Sequence, residues 1–193
     1  NIMPQKLPFT KDQIHAIRSS LHGRNQLLFC VHVDTCLRSI DLINLRVKHL
    51  IDSHGRVRKN IEVKQQKTAR RVSCRLSDFT MDLVDRWVKA RKLESIDPLF
   101  PSRATDKMGN LKPLSDKMYR NIVKEIAYKA GLDWELYSSH SLRRTKPSIV
   151  YKETRDIETC RQLLGHSNVA STSLYLNISA EDALNKAEAL NIM

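Results

Sequence analysis

Apolar residues recur at two different spacings along this chain, and the change of spacing divides it into regions of different secondary structure. A capping-box pattern at Thr10–Gln13 precedes Ile14, Ile17 and Leu21, which repeat at helical spacing. The following stretch, residues 26–33, is almost continuously apolar. We therefore expect the chain to open with an amphipathic helix and then a buried one.

Between residues 47 and 76 the pattern changes to short β-prone segments separated by polar turns. The segments cover residues 47–51, 57–63 and 72–76, and the last two flank a turn around Lys67. Segments of this kind, bounded by glycine and polar residues, are typical of strands. We predict a small antiparallel sheet of three strands here.

The remainder of the chain carries helical patterns. Ser77 and Ser115 each precede apolar residues at helical spacing, and residues 102–112 between these runs predict an exposed loop. Because proline is tolerated in a first helical turn but breaks a helix interior, we expect the helix that contains Pro147 to begin near it or to kink there. The predicted fold class is mainly α with a small antiparallel three-stranded β-sheet (α+β).

The balance of charge narrows the class of partner. The 193 residues suffice for one well-buried domain, and 33 lysines and arginines against 21 acidic residues give a formal net charge of +12. That balance favours a polyanionic partner such as nucleic acid, although ribosomal, chromatin and membrane-surface proteins share it. Basic residues are densest from residue 56 to residue 75, where Arg70 and Arg71 are candidate DNA contacts.

Cysteine spacing and the lack of long apolar runs suggest a compartment. The four cysteines form no Cys-x-x-Cys pair and lie among apolar neighbours, so we interpret them as reduced, mostly buried thiols and predict no zinc site. No stretch approaches the ~18 uninterrupted apolar residues of a membrane span, and the first residues lack the order of a signal peptide. We expect a soluble, cytoplasmic protein that makes no membrane contact.

The last third of the chain holds the residue types needed to cut a phosphodiester by converting it into a phosphotyrosine. His140 and Arg143 stand in His-Ser-Leu-Arg, His166 follows Leu-Leu-Gly, and Tyr175 lies nine residues beyond His166. Taken singly, each residue has a commoner structural explanation, such as a capping histidine or a core aromatic ring. Only their combination points to chemistry.

Two further cations stand where a phosphate-binding site would require them. Arg38 lies between two apolar runs, and Lys67 lies in a polar turn between two predicted strands. In their order from about Pro8 to Leu176, these motifs resemble the tyrosine recombinase (phage integrase) family. The resemblance implies the catalytic-domain fold of that family and a set of six catalytic residues: Arg38, Lys67, His140, Arg143, His166 and Tyr175.

The resemblance assigns phosphate binding to the two arginines and to one histidine. During attack on a phosphodiester, negative charge spreads over the non-bridging oxygens, which fixed cations stabilise. Arg38 and Arg143 can present forked N–H donors to two of these oxygens, a geometry that lysine cannot reproduce. His166 can donate one further hydrogen bond.

The resemblance assigns the proton transfers to the other three residues. A tyrosine phenol has a reference pKa of about 10 and must lose its proton as it attacks. By resemblance Tyr175 is the nucleophile, His140 accepts its proton, and Lys67 protonates the leaving 5′-oxygen. Since the phosphotyrosine retains the bond energy, the implied reaction needs no ATP, metal or other cofactor. The implied function is site-specific DNA recombination, as integrase or invertase, through a 3′-phosphotyrosyl intermediate.

The resemblance also implies how the chain is organised and what it binds. Residues 1–178 correspond to the catalytic domain, and we expect the N-terminal core-binding domain of the family to be absent. Residues 179–193 carry an apolar stripe that includes Leu184 and Leu190. Such a helix either packs on its own domain or docks on a neighbouring protomer, as often happens in this family. We expect double-stranded DNA as partner and assembly into a tetramer on DNA through this helix.

Two alternatives remain open on the same fold. A type IB topoisomerase-like enzyme uses the same phosphotyrosine step to relax supercoils, and a DNA-binding regulator keeps the fold without turnover. Cys36, Arg144 and Lys146–Pro147 depart from the residues more common in the family, namely glycine, histidine and an apolar or small residue, and these departures keep the regulator in play. Arg144 itself is a candidate DNA contact or a solvated cation.

Overall fold

The computed structural model describes residues 6–190. Over that range the chain forms ten α-helices, one 3-10 helix and four short strands. In chain order these are α1 (Lys11–Ser20), α2 (Gly23–Thr35), α3 (Ser39–Ile43), α4 (Val47–Leu50), β1 (Asn60–Lys64), β2 (Arg71–Arg75), α5 (Asp78–Arg91), β3 (Pro101–Thr105), β4 (Leu111–Pro113), α6 (Asp116–Lys129), the 3-10 helix Trp134–Leu136, α7 (Ser139–Thr154), α8 (Ile157–Leu164), α9 (Val169–Leu176) and α10 (Ala180–Ala189).

Helix α2 lies at the centre of the domain because its sequence is apolar on nearly every face. Leu27, Leu28 and Phe29 are at most 1% exposed, and α2 contacts α1, α5, α7 and β2. The preceding helix α1 has the predicted capping box, in which the Thr10 side chain accepts from the backbone N–H of Gln13. The expected pair of opening helices is confirmed.

The prediction of a three-stranded sheet is wrong, since the described residues form two separate two-stranded sheets. Strands β1 and β2 pair antiparallel, as predicted for the hairpin around Lys67. Residues 47–50 of the first predicted strand form the short helix α4 instead. Val47 and Leu50, three residues apart, are both buried on one face, which a helical turn achieves and an alternating strand does not. Only Ile51 keeps a bridge, to Val57.

The segment 102–112, expected to be a loop, is a second hairpin. Strands β3 and β4 pair antiparallel with an irregular register between Pro101 and Thr105. The hairpin projects from the domain, and Met108 at its tip is 86% exposed. The segment is therefore exposed, as expected, but its backbone forms two strands instead of an irregular loop.

Pro147 lies inside helix α7, which begins eight residues earlier at Ser139. Of the two alternatives expected for Pro147, a helix that begins near it is wrong, because the N-terminal signal is Ser138, whose side chain caps the helix together with Ser141. A kink at Pro147 stays a prediction. Proline removes one backbone donor from the helix. Its ring is buried in the core, and its carbonyl accepts from the Cys160 thiol at 3.3 Å. The helix therefore continues through Pro147 despite the lost bond.

Three composition-based expectations can be compared with the described residues. All four cysteines are buried and free of disulfides. Between residues 6 and 190, no three His, Cys, Asp or Glu side chains group as a metal site would require. None of the helices in this range combines the length and the apolar character needed to cross a bilayer.

Candidate active site

Arg38 is positioned by the sharp turn that follows helix α2. Cys36 ends α2 in a left-handed conformation with φ of +53°. The buried ring of His32 holds the following residue, Leu37, through a hydrogen bond to its carbonyl. His32 Nε2 lies 2.8 Å from the Leu37 carbonyl oxygen and donates to it, while Nδ1 accepts from the Tyr119 hydroxyl. Burial lowers the pKa of His32 to about 3, so this ring is neutral. Arg38 follows as the N-cap of α3.

Arg143 reaches the same place from the first turns of α7. It is 3% exposed, and its guanidinium donates from Nη1 to the Cys36 carbonyl at 2.7 Å and from Nη2 to the Leu164 carbonyl at 2.9 Å. Burial lowers its pKa, and the nearby Tyr175 phenol opposes that shift. Arg143 therefore joins the end of α2 to the end of α8 and remains a cation.

His166 enters the site because helix α8 ends on a glycine. Gly165 has φ of +64°, and a Cβ there would lie 2.6 Å from Val72 Cγ2 on β2, so this close approach requires glycine. His166 Nδ1 then lies 3.1 Å from Thr172 Oγ1. Burial, followed by the charges of two nearby arginines, lowers the pKa of His166 to about 4. The imidazole is neutral near pH 7.

Tyr175 lies on α9 with its ring among three of the other polar groups. The ring meets His166 edge-on with centroids 5.4 Å apart, and the guanidinium carbons of Arg143 and Arg144 lie 5.8 and 5.5 Å from its centroid. Burial raises the pKa of Tyr175, while the charges of Arg143 and Arg144 and a hydrogen bond with Arg143 oppose the rise. The phenol is therefore neutral at pH 7. Arg143 and Arg144 lie close enough to stabilise its phenolate form.

Lys67 lies exposed on the turn between β1 and β2. The neighbouring residue is anchored, because the backbone N–H of Gln66 donates to Asp41 Oδ1 at 2.8 Å, and Asp41 is 3% exposed. Asp41 belongs to α3, which begins directly after Arg38. The lysine turn is thus fastened to the element that carries the first arginine. No ion pair joins Arg38 to Asp41 in the described part of the chain.

His140 stands one helical turn before Arg143 on α7, and its backbone N–H donates to the Ser138 cap at 3.2 Å. The residue is exposed overall. Partial burial of its ring and then the charges of Arg143 and Arg144 lower its pKa, so a neutral imidazole is available to accept a proton. The contact to Tyr175 runs through the backbone, since the phenol oxygen lies 3.5 Å from the His140 carbonyl oxygen, too long for a strong hydrogen bond.

These side chains share one open cavity of about 330 Å³. Its lining includes all six residues that the motifs single out: Arg38, Lys67, His140, Arg143, His166 and Tyr175. An adjoining cavity of about 620 Å³ shares Arg38, His166 and Tyr175 and adds Arg70. A third, of about 440 Å³, is lined by Arg70 and Arg71. Neighbouring cavities share lining residues, so the three form one groove in which Arg70 and Arg71 lie beside the six groups.

The family follows from the extent of the match around this constellation. A model of the phage integrase family matches residues 8–182, a range that contains every residue of the site. The chain belongs to the phage integrase family.

Two curated members illustrate how much of a relative the chain represents. It is 25% identical over 184 residues to the tyrosine recombinase XerC of Caldanaerobacter subterraneus subsp. tengcongensis, an alignment covering 92% of this chain and 48% of the relative. It is 26% identical over 163 residues to the tyrosine recombinase XerA of Saccharolobus solfataricus, covering 84% and 49%. The chain spans about half the length of these relatives.

Solved structures of a recombinase and of an integrase share the fold. A post-cleavage complex of the XerH site-specific recombinase with a palindromic difH substrate superposes with a TM-score of 0.74 at 21% identity, covering 99% of this chain and 55% of that one. The catalytic domain of bacteriophage HP1 integrase superposes with a TM-score of 0.61 at 14% identity, covering 95% of each chain. At these identities the likeness shows the fold alone.

Arg144 differs from the other candidates in its surroundings. It is 5% exposed, and its Nη1 donates to the Lys6 carbonyl at 2.8 Å. Burial lowers its pKa, and the neighbouring Tyr175 opposes the shift. A guanidinium enclosed between the N-terminal segment and the phenol ring is better placed to position Tyr175 than to reach a DNA backbone. That it contacts DNA stays a prediction.

Several residues that shape the site carry no motif of their own. Asp41 and Thr172 act through contacts with Gln66 and His166 that only the fold creates. The one available signal was spacing, since Asp41 lies one helical turn after Arg38. Cys36, where the family more often has glycine, adopts a conformation that glycine adopts most readily.

Proposed function

We propose that this chain is the catalytic domain of a site-specific DNA recombinase that cleaves and rejoins strands through a 3′-phosphotyrosyl intermediate. The observation that carries the proposal is the single cavity lined by a tyrosine, two arginines, two neutral histidines and a lysine from five separate parts of the sequence. Because the chain spans about half of its curated relatives, the target sequence and the outcome of strand exchange belong to the whole protein.

The scissile phosphate would sit between Arg38 and Arg143. Arg38 Nη1 is buried and has no hydrogen-bond partner among residues 6–190, and an unpaired buried donor is costly unless an anion accepts its hydrogen bond. Arg143 uses one N–H of each terminal nitrogen on backbone carbonyls, which leaves three of its five donors for the phosphate and the phenol. The site thus offers preorganised donors to the non-bridging oxygens.

Tyr175 would attack phosphorus with its phenol oxygen while its proton passes to the neutral His140 imidazole. The new bond joins that oxygen to phosphorus, the bond to the 5′-oxygen breaks, and Lys67 donates the proton that the leaving 5′-oxygen requires. Arg143 and Arg144 stabilise the phenolate character that develops. A 5′-hydroxyl from another strand then reverses the same steps.

His166 would add a neutral hydrogen-bond donor. Thr172 Oγ1 lies 3.1 Å from His166 Nδ1 and 3.5 Å from the Asn168 carbonyl oxygen. The shorter contact favours a threonine hydroxyl that donates to Nδ1. In that arrangement the imidazole proton is on Nε2, the atom that remains to donate to a phosphate oxygen.

Double-stranded DNA is the proposed partner, and the groove beside the site is its proposed path. Arg70 and Arg71 line the adjoining cavities. The side chain of Arg71 is 77% exposed although it pairs with Glu62 at 3.2 Å, so little free energy is lost when a phosphate replaces that carboxylate. Both arginines are proposed phosphate contacts.

Assembly into a tetramer through α10 is a further part of the proposal. Leu184 on this helix and Leu190 at its C-cap are 69% and 67% exposed, which leaves apolar surface available to a neighbouring protomer. Deleting residues from Ser179 onward should abolish higher-order complexes on DNA in electrophoretic mobility assays. Unchanged assembly after the deletion would remove this part alone.

Strand exchange tests the recombinase proposal against its two alternatives. We would incubate the protein with a library of nicked duplexes of randomised sequence and a labelled acceptor strand bearing a 5′-hydroxyl. The expected result is a covalent protein–DNA adduct and transfer to the acceptor for a sequence-restricted subset. Transfer without sequence restriction, accompanied by relaxation of any supercoiled plasmid, would indicate a topoisomerase, and binding without any adduct would indicate a regulator.

A further inference from the structure

A second basic cavity, of about 390 Å³, lies outside the candidate active site. Arg24 from α2, Arg91 from the end of α5 and Arg103 from β3 line it together with His22, Trp87 and Ser102. These elements are far apart in the sequence, so the fold itself gathers the three guanidinium groups. None of these residues belongs to the motifs that define the active site.

The three arginines have no carboxylate partner in the described part of the chain. The nine ion pairs found between residues 6 and 190 all use other cations. On the same helix as Arg91, for example, Arg86 pairs with Asp82 at 2.9 Å. Burial and then the charges of Arg103 and Arg91 lower the pKa of Arg24. The cavity therefore concentrates positive charge that the protein leaves uncompensated.

Arg24 also has hydrogen-bond donors in this cavity that the described residues pair weakly or not at all. Arg24 Nε is buried without a partner in the described part of the chain, and Nη1 reaches the Pro101 carbonyl only at 3.5 Å. Helix α2 begins here, and its first turn contains no acidic residue. Its N-cap His22 makes no side-chain capping bond within residues 6–190. The N–H groups of a helix N-terminus add to the attraction for an anion. Guanidinium forks match the oxygens of phosphate.

The distance to the active site separates this cavity from the scissile phosphate. Arg24 lies at the start of α2 and Arg38 just beyond its end, so a helix of 13 residues stands between them, about 20 Å at 1.5 Å per residue. One phosphate cannot reach both sites, but a DNA duplex is long enough to do so.

We propose that Arg24, Arg91 and Arg103 form a second phosphate-binding site, which takes either a backbone phosphate of DNA away from the cleavage point or a free polyphosphate anion. The inference does not rest on phosphotyrosine chemistry. Binding can be measured on a Tyr175→Phe protein that cannot form an adduct, so the failure of one proposal leaves the other standing.

Trp87 supplies a reporter within the cavity. Arg91 lies 5.6 Å from the Trp87 ring centroid, and the chain has only one other tryptophan, Trp134. In a Trp134→Phe background, titration with pyrophosphate should change the Trp87 fluorescence. Arg24→Gln or Arg103→Gln should weaken the apparent affinity at least tenfold, while Arg86→Gln, an exposed and ion-paired control, should leave it unchanged. Arg103 is exposed, so its substitution tests the site even if Arg24→Gln does not fold.

Salt titration of DNA binding identifies the source of the phosphate. If the DNA backbone occupies the site, Arg103→Gln should reduce the slope of log affinity against log salt concentration by about one relative to Arg86→Gln. A pyrophosphate response with unchanged slope assigns the site to free polyphosphate. Either response supports the proposal. Insensitivity of both the Trp87 signal and the salt slope to Arg24→Gln and Arg103→Gln overturns it.

Discussion

The floor and the rim of the active site are built differently. Arg143, His166 and Tyr175 on the floor are buried or half-buried and contact one another, and backbone carbonyls hold Arg143 in place. Lys67 and His140 on the rim are exposed. Under the proposed function, the floor offers donors that are already held in place for a phosphate, whereas the exposed rim side chains would depend on the substrate to fix their positions. Substitutions on the floor should damage stability and rate together, and substitutions on the rim should damage rate alone.

Arg143→Lys should have the largest effect. Lysine cannot bridge two carbonyls and a phosphate at once, so DNA cleavage should fall by at least about 10³-fold and the free energy of unfolding by about 2–3 kcal/mol. Cleavage assays and urea denaturation measure the two. Arg144→Gln, a change of the adjacent buried arginine, should reduce cleavage much less. An equal loss of cleavage in both variants would contradict the claim that Arg143 binds the phosphate more directly than Arg144.

Lys67→Ala should slow cleavage about 10²- to 10³-fold and leave the urea midpoint unchanged, because the side chain is exposed. A substrate with sulfur in place of the leaving 5′-oxygen needs no proton on departure. On that substrate the variant should cleave as fast as the unaltered protein. An equal defect on both substrates would show that Lys67 does not supply the proton.

Comparing Gly165→Ala with Gly131→Ala separates the loss of stability caused by close packing from the loss caused by backbone strain. The new Cβ would lie 2.6 Å from Val72 Cγ2, so we expect a loss of about 2–4 kcal/mol of stability and weaker cleavage as His166 shifts. The matched control is Gly131→Ala, where φ is +72° and no atom lies within 4 Å, with an expected loss of about 1 kcal/mol. Urea denaturation of both variants would decide, and similar losses would exclude the packing argument.

Acidification should lower the stability of the protein through His32, the buried residue that holds the turn before Arg38. Its pKa is lowered to about 3 in the folded protein and is about 6.5 in the unfolded chain. Between these values only the unfolded state gains the proton, so stability falls as pH falls, by roughly 1.4 kcal/mol per pH unit from this residue. Comparing urea denaturation of the unaltered protein and His32→Gln from pH 6.5 to 4 isolates the effect. Identical pH slopes would contradict it.

The sequence predicted the residues of the candidate site better than it predicted the residues that hold them in position. The resemblance to a known family singled out Arg38, Arg143 and Tyr175 without coordinates, because their motifs occur together in the family's order. Asp41 could not be singled out, because its hydrogen bond to Gln66 spans 25 residues, a distance over which local patterns say nothing.

The errors in the fold have a similar physical origin. Residues 47–51 form a short apolar run, which periodicity alone cannot assign to strand or helix, and burial of Val47 and Leu50 on one face decided for a helix. At Pro147, core packing overrode the intrinsic preference of proline against a helix interior. Tertiary contacts decided both cases.

The identity of the nucleophile is the central claim, and trapping the covalent intermediate tests it most directly. The protein would be incubated with the nicked duplex library, and any adduct would be digested and mapped by mass spectrometry. We predict a 3′-linked phosphotyrosine on the peptide that contains Tyr175, and no adduct with Tyr175→Phe. An adduct that persists in Tyr175→Phe, or that maps to Tyr151, would contradict the account.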